Sequence, residues 1–144
     1  MSEETPPATE PEDAFVPIAQ DLNSCGLRCR LVFSAPLDED PRWWRQLIVS
    51  GVPVGFLECE PDTDPATLAK DLAFHTQAAV LENLQAIEDS RAWPHCRAGH
   101  PHPMSLASDG EGQWPYWHCP KDRSYRWNVG DHPGNAGWRD AWVR

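Results

Sequence analysis

The sequence predicts an α+β protein: a small antiparallel three-stranded sheet packed by one long helix, followed by a C-terminal β-hairpin built on cysteine and histidine. Three observations lead to it. Between Arg28 and Cys59 the apolar residues fall into three short runs separated by turn signals, the pattern of half-buried strands. From Pro65 to about Asp89 they recur at helical spacing. After Trp93 the chain changes to short aromatic runs broken by Pro and Gly, with Cys and His among them.

Taken in order, residues 1–13 are acidic and Pro-rich, too poor in apolar side chains to offset chain entropy, and read as a disordered tail. Phe15, Val16, Ile18, Ala19 and Leu22 then fit one short helix over Ala14 to Asn23, with Gly26 near its C-cap. Arg28 to Ser34 alternates, with Cys29, Leu31 and Phe33 on one face, and reads as a strand. Leu37 to Pro41 is an acidic turn. Trp43 to Val49 and Val52 to Cys59 are two more strands joined at Ser50-Gly51, and Pro53 argues that the second begins at a sheet edge or just beyond it.

The long helix opens at Thr63 or Asp64 as cap, with Pro65 in its first turn. Leu72, Ala69, Ile87, Val80, Ala73 and Leu84 share its apolar arc, and Asp71, His75, Glu82 and Asp89 lie opposite. Beyond Trp93, Met104 to Ala107 and Gln113 to His118 flank the turn Ser108 to Gly112, and Tyr125 to Val129 makes a third short strand. The divisions are therefore 1–13 tail, 14–91 α+β domain, 92–130 β module and 131–144 irregular tail, in which Trp138 and Trp142 sit four residues apart.

Charge follows the same division. The chain carries a net −10, but residues 1–90 hold 17 acidic and 5 basic side chains, whereas residues 91–144 hold 5 and 7. The second part has six of the eight tryptophans and five of the six histidines. No apolar run approaches the roughly 18 residues of a membrane span, and Met1 to Asp13 lacks the basic and apolar regions of a signal peptide. A cytoplasmic location is the expectation, in which five cysteines serve as buried thiols or metal ligands rather than disulfides.

Cys96, His100, His102 and Cys119 carry the chemistry. Thiolate and imidazole are the donors that suit Zn²⁺. Pro101 and Pro103 push His100 and His102 out of the helical region, and in an extended segment residues i and i+2 face one side, so both imidazoles can meet one ion. Pro120 follows Cys119 in the same way. His95 and His118 adjoin the cysteines but would face away on a regular strand, and rank as second-choice ligands. Two other readings stand beside the metal: a Cys96–Cys119 disulfide, and histidines in a polar loop with the cysteines buried as small apolar residues. Neither His-Glu-x-x-His nor the deaminase signature occurs, and Glu111, in the hairpin turn, is the only glutamate after Glu88. A structural Zn²⁺ is the expected cofactor, supplying folding energy to a module with little core.

Trp93-Pro94-His95-Cys96, His100-Pro101-His102-Pro103-Met104 and Trp117-His118-Cys119-Pro120 resemble a pattern in small, uncharacterised bacterial proteins. There the motif runs Trp-Pro-x-Cys-Pro, His-x-His-Pro-Leu, Trp-x-Cys-Pro, after a β-rich start and a long helix. The likeness covers about residues 15 to 130 and is specific only in the Cys/His motif. It departs at Arg97, where a proline is usual, in one extra residue before His100, and in a longer Trp-rich tail. The resemblance implies a zinc-ribbon-like C-terminal end and no activity.

Other side chains offer surfaces rather than chemistry. Trp114, Tyr116, Trp117 and Trp127 with Lys121, Arg123 and Arg126 suit a partner surface, or a stacking face for single-stranded nucleic acid, although net acidity opposes phosphate binding. One of Trp43 and Trp44 belongs in the core and the other to a contact. Cys25 and Cys29 read as buried thiols rather than a redox pair, Cys59 as core, and His75 as solvated. The expectation is a non-enzymatic zinc-binding interaction or adaptor protein contacting another protein. The alternatives are a single-stranded nucleic-acid-binding zinc ribbon and a metal-dependent hydrolase.

Overall fold

Helix α1 (Pro11–Ser24) begins three residues earlier than its apolar pattern, because Glu12 and Asp13 suit the positive end of a helix dipole. The computed structural model describes residues 11–33, 43–59, 63–87, 92–97 and 99–134. The expectations for residues 1–10, the turn at Leu37 to Pro41, Asp89, Trp138 and Trp142, and the side chains of Trp43 and Cys59 lie outside the described residues. Residues 11–13 belong to α1, which corrects their assignment to a tail, and Glu12 reaches Arg45 Nε at 2.6 Å.

Three antiparallel strands follow, β1 (Cys29–Phe33), β2 (Trp43–Val49) and β3 (Val52–Cys59), in the order β1-β2-β3. Ser50 (φ 50°) and Gly51 (φ 79°) both take positive φ, the geometry of a two-residue hairpin turn that matches strand twist. Pro53 lies on an edge strand, as its missing N–H requires. A register shift at Leu47/Ile48 bends this hairpin.

Helix α2 (Pro65–Glu82) is capped by Asp64, whose side chain accepts from Thr67 N at 3.1 Å. The expected helix to Asp89 is interrupted. Asn83 turns its amide onto Ala79 O (2.7 Å) and Val54 O (3.3 Å), a side-chain competitor for backbone acceptors, and the chain resumes as α3 (Leu84–Ile87). Leu72, Ala69, Val80, Ala73 and Ile87 are buried as expected, joined by Thr76, and His75 is exposed.

The C-terminal part forms a second antiparallel sheet of β4 (Ser105–Ala107), β5 (Tyr116–Cys119) and β6 (Asp122–Asn128). One apolar cluster serves both sheets. Ile18 and Leu22 of α1, Leu47 of β2 and Leu72 of α2 belong to it together with Trp93, Met104 and Trp117. Each such side chain contributes about 1.5–3 kcal/mol by leaving water. Gln77 of α2 ties the two parts again, donating to Met104 O at 2.7 Å.

Candidate metal centre

The four predicted ligands converge. Cys96 lies on the extended arm in which His95 bridges Pro103 and Pro94 O accepts from Met104 N at 3.0 Å. The chain then turns, with His100 N bonded to Arg97 O at 3.1 Å, and returns through His100 and His102. Cys119 ends β5 where the register shifts between His118 and Cys119. The two sulfurs and two ring nitrogens all lie within 4.8 Å of one another.

The shorter edges test the fit. Cys96 Sγ to His100 Nδ1 is 3.7 Å, Cys119 Sγ to His100 Nδ1 is 3.4 Å, and Cys119 Sγ to His102 Nε2 is 3.6 Å. Bond lengths of about 2.3 Å to sulfur and 2.0–2.1 Å to nitrogen give a tetrahedral S···N edge of about 3.6 Å. The residues fit a four-coordinate ion of zinc size, and this cluster can bind a metal ion. Cys96 and Cys119 are free thiols, so the disulfide reading does not describe this state.

Burial pushes the Cys96 thiol up to about 11, with the Arg97 N–H opposing and the Cys119 thiol adding to the rise. Burial also lowers the His102 imidazole, helped by His100 and Lys121. Without an ion the Cys96 sulfur holds its proton at neutral pH, and uptake of metal must displace it. A cleft of about 380 Å³ adjoins the centre, lined by Cys96, His100 and His102 and walled by Ala92, His95 and Pro101.

The second-choice ligands are both buried. His118 is buried and its Nδ1–H meets Cys119 O at 3.0 Å. His95 offers its carbonyl to His132 Nε2 at 2.7 Å. Neither belongs to the cluster.

The suggested partner surface is only partly a surface. Trp117 is 0% exposed and Tyr116 is buried, which corrects their assignment to it. All four residues of β5 are buried: Trp117 and Cys119 belong to the apolar cluster, while on the other face Tyr116 lies under Arg126 and beside His118. Trp114 is exposed and Trp127 half-buried, and Arg123 and Arg126 reach solvent. Arg126 lies over the Tyr116 ring at 4.7 Å, and Arg97 over Tyr125 at 5.1 Å while pairing Asp122 at 3.2 Å. Trp44 is half-buried. Cys25 is buried with its sulfur 3.8 Å from His132 Nδ1, and burial lifts the half-buried Cys29 thiol to about 11.

Asp21 is the residue that sequence reasoning missed. It is fully buried. Its carboxylate accepts from Trp117 Nε1 (2.8 Å), Gly130 N (2.8 Å) and His132 N (3.0 Å), and its carbonyl accepts from Trp93 Nε1 (3.2 Å). Burial raises its pKa, and the hydrogen bonds from Gly130, Trp117 and His132 pull it back. The signal was an acid beside Ile18 and Leu22 on the apolar face of α1. The segment that meets it, residues 130–134, carries neither helix nor strand, in line with the irregular tail expected from residue 131, and His132 and Gly134 are buried in it. No family model, curated protein or solved structure matches this chain.

Proposed function

We propose that this chain is a non-enzymatic interaction or adaptor protein whose C-terminal sheet is organised by a structural Zn²⁺ held by Cys96, His100, His102 and Cys119. The observation that carries the metal reading is the donor set itself, with S···N edges of 3.4–3.7 Å. Four protein ligands fill a tetrahedral sphere, the arrangement of structural rather than catalytic zinc. No carboxylate lines the adjoining cleft among the described residues, which leaves a hydrolase without a nearby base.

The adaptor role takes exposed Phe56 and Phe74, each 58% accessible, and Trp114 as its candidate contacts; exposed apolar side chains mark a protein contact where they form one patch. Single-stranded nucleic acid is a weaker reading, because Trp117 is buried and Arg126 is engaged by Tyr116 and Asp109. No helix among the described residues is long and apolar enough to cross a membrane. The cytoplasm, where thiols stay reduced, and kinship with the small bacterial proteins of similar motif are parts of the same proposal.

The experiment is elemental analysis of protein purified without added metal, beside Cys96→Ser and Cys119→Ser. Near-stoichiometric zinc in the parent, lost in both variants, is the expected result. A folded, metal-free parent would end the metal reading. For the adaptor role, a partner of the parent should be lost from a Phe56→Ala, Phe74→Ala, Trp114→Ala triple variant; unchanged partners would end it.

A further inference from the structure

We propose that the Cys96–His100–His102 face of the centre is a ligand-accepting face, and that its cleft takes a small neutral nitrogen-donor heterocycle of the imidazole class. This rests on the metal reading above. The four ligands are not equivalent in their surroundings. Cys119 is 0% exposed and sealed in the core, whereas His100 and His102 are half-exposed. The three ligands other than Cys119 are those that line the cleft of about 380 Å³. A molecule entering there meets one triangular face of the donor set, with Cys119 behind it. The volume lies at the low end of small-molecule sites.

The class of ligand follows from charge and lining. Two thiolates already balance a divalent ion, so a further anion would bring uncompensated charge into a partly dehydrated cleft, at a cost a neutral donor avoids. Ala92 and Pro101 present apolar walls, and no Asp, Glu, Lys or Arg lines the cleft among the described residues. A flat, neutral ring with one nitrogen lone pair satisfies both conditions.

The test uses the full chain loaded with Co²⁺, whose sulfur-to-metal charge-transfer bands report thiolate ligation and whose d–d intensity reports coordination number. Imidazole and azide are titrated separately into the parent and into Ala92→Phe, which narrows the cleft without changing a ligand. The expected result is a saturable loss of d–d intensity with imidazole, charge-transfer bands retained, little response to azide, and a blunted response in Ala92→Phe. Unchanged d–d bands with imidazole would overturn the inference and leave the metal reading intact, as would loss of the charge-transfer bands, which means extraction of the ion. An azide response equal to that of imidazole, or an undiminished imidazole response in Ala92→Phe, would overturn the assigned ligand class or location. Failure to develop charge-transfer bands at all would remove the metal reading, and this inference with it.

Discussion

Trp117 donates its indole N–H to the Asp21 carboxylate at 2.8 Å, joining β5 to α1 across 96 residues of sequence. The same carboxylate receives two backbone N–H groups from the segment after β6. One buried acid thus fastens the sheet that carries Cys119 to the first helix.

Asp21→Ala should destabilise the protein by about 3 kcal/mol, since it leaves two buried donors and one half-buried donor without an acceptor. Asp21→Asn should cost less, because one oxygen remains to accept. Chemical denaturation of both variants checks the order; an Asp21→Ala midpoint equal to the parent's would show that the clasp carries no stability.

Gly134→Ala should cost roughly 2 kcal/mol or more. Its φ is +62°, and an added Cβ would run into the Ser24 carbonyl, backbone that cannot simply swing aside. Gly112→Ala is the control, with φ +76° and nothing within 4 Å, and should cost only the backbone term. Equal melting temperatures for the two variants would contradict the packing.

His132 sets an acid limit. Burial depresses its pKa from 6.5 to about 4, so the folded state keeps it neutral where the unfolded chain is protonated. Its contribution is present above pH 6.5 and is lost as pH falls towards 4, on the order of 3 kcal/mol across that window. Asp21 acts in the opposite sense: its raised pKa gives a contribution present below 3.8 and lost as pH rises through the folded value. Comparing metal-loaded parent with His132→Gln over pH 4–7 isolates the histidine. The variant should show the shallower slope, and parallel curves would refute the assignment.

Zinc uptake near neutral pH should release at least one proton, from the Cys96 thiol. The raised Cys96 pKa underlies this expectation, and apparent affinity should fall as pH falls. Calorimetry in buffers of different ionisation enthalpy counts the protons. Release of none would show that the sulfurs are not the ligands.

The features legible in the sequence were local ones. Ser50-Gly51 fixed a hairpin whose strands, Trp43–Val49 and Val52–Cys59, match their expected bounds. Asp64 and Pro65 fixed the start of α2. Prolines after His100 and His102 made the ligand set readable, since each restricts the residue before it. Asp21 was not legible, because its partners are 96 to 111 residues away. Trp117 was misplaced on the surface for the same reason, its indole being accounted for by an acid on another element. Asn83 ended α2 through an acceptor on β3 that no helical pattern contains.

The spacing of these contacts has a consequence for the order of assembly. All four donors lie between Cys96 and Cys119, a short loop to close, whereas the Trp117–Asp21 bond spans 96 residues. The longer closure costs about 1 kcal/mol more in chain entropy. During synthesis α1 emerges first, but its Asp21 has no acceptor role to fill until Trp117, Gly130 and His132 have followed it out of the ribosome. The donor loop can close on an ion once Cys119 has emerged, before Gly130 and His132 have, so the clasp on Asp21 is completed only after the donor set is.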